Sequence, residues 1–140
     1  MNRTEWIGKW TPQLYSLMRI VVALLFLQHG TQKLFSIPPA TNPPALGSLL
    51  GIAGVLEVCG GLLLVLGLFT RPVAFLLSGE MAVAYFLRHA PQGFWPLLNR
   101  GELAVLYGFV FLYISAVGGG IWSLDGRREC GRRRAPTKSR

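Results

Sequence analysis

Cysteine, acidic residues and charge in general are scarce in this chain. Of its 140 residues two are cysteines, Cys59 and Cys130, and no Cys-x-x-Cys pair occurs. A disulfide framework, thiol–disulfide exchange and a Cys/His zinc site all therefore lack their spacing, and no metal site is expected. Charged residues make up only 14%, against roughly 25% in soluble domains, which argues against a soluble core. No flavin or nicotinamide motif is present, so any electrons handled here have to come from a partner. The net charge of +8 arises mostly from the tail after Asp125. That tail has no interleaved aromatics to stack on bases, so nucleic acid is not an expected partner; its basic residues suit anionic lipid instead. Arg19 breaks the boundary of a signal-peptide n-region and no small-x-small site follows, which favours an uncleaved first span.

What the chain has is apolar length. Hydrophobic residues make up 51% of it and the mean hydropathy is +0.43. A bilayer helix needs about 20 apolar residues, and the breakers divide the chain accordingly into an all-α membrane protein, a bundle of four transmembrane helices. The expected spans are 14–35, 46–69, 72–89 and 101–122. They form one domain over 14–125, between an N-terminal interfacial segment, 1–13, and a basic tail, 126–140.

Four spans put both termini on one side. Eleven of the 14 lysines and arginines fall on the side of the termini, against Lys33, Arg88 and Arg100 on the other. The positive-inside rule makes the termini cytoplasmic. Trp6, Trp10 and Tyr15 then suit one interfacial belt, and Phe94 and Trp95 the other.

Glu57, Glu80 and Glu102 stand within or at the mouth of these spans. A charge at the bilayer centre costs roughly 2.5–3.5 kcal/mol on insertion scales, so it needs a partner or a task. At 100° per residue, Arg19, Val22, Phe26, His29 and Lys33 share one stripe of the first span. Gly47, Gly51, Gly54, Glu57 and Gly61 share a stripe of the second, where small residues let helices approach. Val73, Leu77, Glu80, Ala84 and Leu87 align in the third, and Glu102, Leu106, Phe109, Tyr113, Ala116 and Gly120 in the fourth. At 1.5 Å per residue, Lys33 and Glu102 lie near the outer surface, His29 about 9 Å in, and Glu80 and Glu57 roughly 14–18 Å in. Arg19 lies at the opposite end, where it can snorkel or meet Asp125. The residues leave two readings open. Glu57 and Glu80 serve as structural clamps of the bundle, or else His29, Glu57 and Glu80 converge from three spans on a functional polar interior.

A longer pattern carries a resemblance. It runs through Arg19, His29-Gly30 and Lys33-Leu34-Phe35; Glu57-x-x-Gly60-Gly61-Leu62-Leu63-Leu64-x-x-Gly67-Leu68-Phe69-Thr70-Arg71-Pro72; Glu80-Met81-x-x-Ala84; and Gly118-Gly119-Gly120-Ile121-Trp122-Ser123-Leu124-Asp125. This resembles the DoxX family of small bacterial integral membrane proteins over nearly all of 14–125. One departure is that Gly118-Gly119-Gly120 stands where the family commonly has a Gly-Pro-Gly-like turn.

The resemblance implies a four-helix bundle in the bacterial inner membrane and an association with respiratory or sulfur-linked redox systems. The expected function is a quinone-linked component of a membrane oxidoreductase complex. His29 and a protonated Glu80 or Glu57 hydrogen-bond the quinone oxygens, and Lys33 and Glu102 form the outer mouth. The alternative is a non-enzymatic scaffold or small-solute carrier that uses the same polar face. Haem held by His29 and His89 is disfavoured, because His89 stands near the surface and the third helix would have to tilt or continue; His89 is kept as a residue of the binding region. The expected partners are the lipid bilayer and an oxidoreductase subunit. Exposed glycine and alanine surfaces permit a homo-oligomer without specifying one.

Overall fold

The computed structural model describes residues 8–42 and 44–127. The residues expected to form most of the basic tail, Cys130 and the interfacial Trp6 lie outside the described residues. Those described are helical, with no strand among them. Helix α1 spans Thr11–Phe35, α2 Leu49–Leu66, α3 Thr70–Ala84 and α4 Glu102–Val117. After α3 the chain continues as a π turn, Tyr85–His89, and a 3₁₀ turn, Ala90–Gln92. By length and composition α1 and α2 can each cross a membrane, while α4 is a shorter apolar helix.

The first helix ends at the expected Phe35; the other ends differ by up to five residues, for reasons that are local except at the start of α3. Helix α1 begins at Thr11 because Pro12 sits in its first turn, where a missing N–H leaves no bond unmade. Helix α2 begins after Ser48, whose Oγ accepts the Gly51 N–H at 3.1 Å. It stops early because Gly67 turns left-handed, at φ 64°, and bonds back to the Leu64 carbonyl. Helix α3 begins two residues earlier than expected because the Asp125 carboxylate caps it from far along the chain. Asp125 accepts the Phe69 N–H at 3.1 Å and the Thr70 N–H at 2.8 Å. Helix α4 stops at Val117 because Gly118 and Gly120 both take positive φ.

Helix α1 lies along α2 and α3 along α4, with a further contact between α2 and α3. Glycine makes the first pairing possible. A Cβ on Gly30 would stand 2.9 Å from the Glu57 Cβ, and one on Gly54 3.0 Å from the Lys33 Cβ. Of the expected α2 stripe, Gly54, Glu57 and Gly61 pack on α1, while Gly51 meets the Ala45 and Leu46 carbonyls and Gly47, before the helix, faces open space. The core joins α1 to α4 through aromatic rings, with Phe26 edge-on to Phe111 at 4.8 Å between centroids and tilted against Tyr107 at 5.3 Å. The buried face of α4 is Ala104, Tyr107, Phe111 and Ile114; the stripe carrying Leu106, Phe109 and Tyr113 faces outward instead. Burying rings against Phe26 selects that face. Leu24, Leu62, Phe75 and Phe109 are among many apolar side chains left on the outside of the helices, the arrangement a bilayer accepts and water does not.

One end of the bundle, the turn end, is closed by arginines. Arg19 has no accessible surface. Its Nε donates to the Gly119 carbonyl at 2.9 Å, its Nη1 to the Leu64 and Val65 carbonyls, and its Nη2 to the Trp122 carbonyl at 2.6 Å. It therefore does not snorkel. Its charge neutralises the carbonyl end of α2 and ties it to the glycine turn. Arg71 does the same for α4, donating to the Ser115, Ala116 and Val117 carbonyls.

Candidate functional site

In the half of the bundle away from those arginines, three helices each contribute one charged side chain. Lys33 comes from the last turn of α1, Glu57 from the middle of α2 and Glu80 from α3. The small residues that bring α1 onto α2 put the Lys33 Nζ 2.5 Å from the Glu57 Oε1. Glu57 is 2% exposed and Lys33 is partly exposed, so the pair runs from the surface into the bundle. Glu80 lies within range of the charges of both Glu57 and Lys33.

The pairing is one-sided. Glu57 Oε2 and both carboxyl oxygens of Glu80 are sealed from solvent and accept no hydrogen bond among the described residues. A buried polar atom without a partner costs about 1–3 kcal/mol, and native structures keep few of them. Three on facing helices form a polar interior able to receive a donor or to hold a proton. That is the chemistry available here: a fixed ion pair beside an acid that no described residue hydrogen-bonds.

The other expected site residues make no hydrogen bond or ion pair to this cluster among the described residues. His29 is exposed, one turn before Lys33, with its ring edge-on to Tyr107 at 6.0 Å. It therefore stands at the lateral face of the site and not inside it. His89 closes the π turn, its Nδ1 2.9 Å from the Asn99 carbonyl and its ring stacked on Tyr85. Glu102 is exposed in the first turn of α4, where an acid suits the positive end of the helix dipole.

Two residues absent from the sequence reading organise the surroundings. Tyr107, on the buried face of α4, carries the ring that meets both His29 and Phe26. Asn99, 2% exposed, donates to the Gly93 carbonyl and accepts the Gly101 N–H. The signal for Asn99 was its place in Asn99-Arg100-Gly101 directly before α4; Tyr107 gave none beyond helical spacing.

The profile of the DoxX family matches residues 14–90, from α1 through the π turn and so across all three helices that supply the cluster. An uncharacterized protein of Haemophilus influenzae is 45% identical over 133 residues, with 91% of this chain and 97% of the relative aligned. An uncharacterized membrane protein of Mycobacterium tuberculosis is 35% identical over 130 residues, covering 79% of this chain and 78% of the relative. No solved structure matches the chain significantly. With a family match over more than half of its residues and a relative aligned along nearly its whole length, this chain belongs to the DoxX family of membrane proteins.

Proposed function

We propose that this protein is a quinone-linked component of a membrane oxidoreductase complex in the bacterial inner membrane, with four spans and both termini in the cytoplasm. The observation that carries the reading is the buried, unsatisfied carboxyl pair beside a lysine, placed among apolar helices. Ionisable groups retained within membrane segments mark proton relays and substrate sites. Continuous helical turns from Thr70 to His89 give the third element about 30 Å, long enough to accompany α1 and α2 across. Helix α4 completes the four with its apolar surface.

The donor set suits a quinone. Exposed His29 can meet a membrane-dissolved ring from the side, its own ring resting edge-on against buried Tyr107, and the unpartnered oxygens of Glu57 and Glu80 belong to the neighbouring helices α2 and α3. Reduction of a quinone to a quinol takes up two electrons and two protons; the electrons come from a redox cofactor carried by a partner subunit. The residues of this chain position and protonate. His29 hydrogen-bonds one ring oxygen. Lys33 fixes Glu57 through Oε1, and Glu80, free of any fixed donor, passes the first proton, is reprotonated from the surface by way of Lys33 and Glu57, and then passes the second.

Glu80→Gln separates this role from a structural clamp. Glutamine keeps the hydrogen-bonding capacity and loses the exchangeable proton. In the native membrane complex the variant should fold and insert normally while quinone-dependent turnover drops at least tenfold. Full turnover in the folded variant would refute the reading and leave a scaffold or carrier.

A further inference from the structure

The end of the bundle opposite the arginines carries a feature the polar cluster does not use. In the loop at 93–101 the side chains of Phe94, Trp95, Leu97 and Leu98 are 81%, 65%, 70% and 76% exposed, and Phe94 and Leu98 are the two most exposed large hydrophobic residues described. They do not belong to a slack segment. Buried Asn99 binds Gly93 and Gly101 across the loop, its own carbonyl meets His89, and its N–H and that of Leu98 both return to the Trp95 carbonyl. A Cβ on Gly101 would stand 2.7 Å from both the Asn99 Oδ1 and the Tyr85 ring, so only glycine closes the loop this tightly. Arg100 is held at φ 59°, a left-handed conformation that a non-glycine residue adopts only when its surroundings impose it. Fixed backbone and exposed rings together make a preformed surface.

Its chemistry has two parts. The tip is apolar and amphipathic, with Phe94 edge-on to Trp95 at 5.2 Å. Arg88 and Arg100 flank it in the chain, both exposed and neither guanidinium engaged among the described residues. Aromatic residues favour the headgroup layer of a bilayer, where a ring is half apolar and half wet, and arginine forks onto phosphate oxygens. The neighbouring loop adds Ile37 and Leu46, both largely exposed at the same end.

We propose that residues 93–101 form a rigid wedge that binds anionic phospholipid in the headgroup layer at this end of the bundle: the 94–98 tip enters the acyl boundary, and Arg88 and Arg100 take the lipid phosphates. The occupant is lipid and not a protein partner, because the apolar tip is continuous with the lipid-facing helix surfaces and its flanking charges are both positive. The inference stands apart from the quinone reading.

A variant keeping Trp95 as its sole tryptophan, with Trp6, Trp10 and Trp122 replaced by phenylalanine, tests it in liposomes of phosphatidylcholine and phosphatidylglycerol. Lipids brominated near the carbonyl end of the acyl chain should quench Trp95 more strongly than lipids brominated near the methyl end. Brominated phosphatidylglycerol should quench more than brominated phosphatidylcholine at equal mole fraction, and Arg88→Gln with Arg100→Gln should remove that preference, about fivefold in lipid affinity per arginine. Water-like emission, quenched by iodide and untouched by bromolipid, would overturn the proposal, as would a lipid preference unchanged in the double variant. Emission that turns apolar only in native membranes would assign the surface to a protein partner and overturn it equally.

Discussion

Arg19→Met is the substitution whose outcome the structure specifies most closely. Methionine fills most of the stem volume and removes every donor. The four carbonyls of Leu64, Val65, Gly119 and Trp122 then lose a charged partner at once. At about 1.5 kcal/mol per charge-assisted hydrogen bond the simple total is about 6 kcal/mol. Removing the guanidinium also removes the cost of burying it, and carbonyls at a helix end near the headgroups recover part of the loss from water. The net expectation is about 3–4 kcal/mol. Arg19→Lys keeps the charge but not the fork that spans α2 and the glycine turn, so about 2 kcal/mol should still be lost. Equilibrium unfolding in mixed micelles of sodium dodecyl sulfate and a mild detergent reads both. If Arg19 merely snorkelled, lysine would be equivalent to arginine and methionine nearly harmless; losses below about 0.5 kcal/mol for both variants would refute the capping argument.

Three further outcomes follow from the same geometry. Lys33→Met should destabilise the bundle by about 3 kcal/mol, since it leaves a buried carboxylate unpaired, and adding Glu57→Gln should restore most of that; a double-mutant cycle without coupling would break the pair. Gly30→Leu should force α1 off α2 at a cost of about 1–3 kcal/mol, because even its Cβ would stand 2.8 Å from the Val58 backbone nitrogen; wild-type unfolding would show that the helices separate freely. In spheroplasts an impermeant thiol reagent should label a cysteine introduced at Thr41 and spare Cys130; the reverse pattern would invert the proposed orientation.

The helices were legible because apolar length and breakers are local. The first span ended at Phe35 as expected, while Ser48 and Gly67 moved both ends of the second by three residues and Gly118 stopped the fourth five residues before the expected Trp122. The contact of Gly54 and Gly61 with α1 was legible for a related reason: small side chains mark a contact face whatever the partner is. What the sequence hid depends on distant chain. Asp125 caps α3 across more than fifty positions, and Arg19 reaches carbonyls of α2 and of the glycine turn, so neither role leaves a trace at neighbouring positions. Helical spacing on α4 picks out the Glu102 stripe and the Tyr107 stripe equally well. Only the presence of Phe26 on α1 decides between them. For the polar cluster, residue counting placed Glu57 and Glu80 at one depth, but the 2.5 Å contact of Lys33 with Glu57 depends on how closely Gly30 and Gly54 let the helices approach.

The proposed role turns on Glu80 as an acid that holds and exchanges a proton in the apolar phase beside a quinone. A hydrophobic carbodiimide reacts with a carboxyl in that state and leaves a stable acylurea, whereas carboxylates locked in ion pairs or facing water are spared. The measurement is peptide mass spectrometry of the labelled protein in native membranes, with and without a short-chain quinone. The account predicts an adduct on Glu80, little on Glu57 or Glu102, and a labelling rate at least fivefold slower when quinone is present. An unlabelled Glu80, or labelling that quinone leaves unchanged, would contradict it.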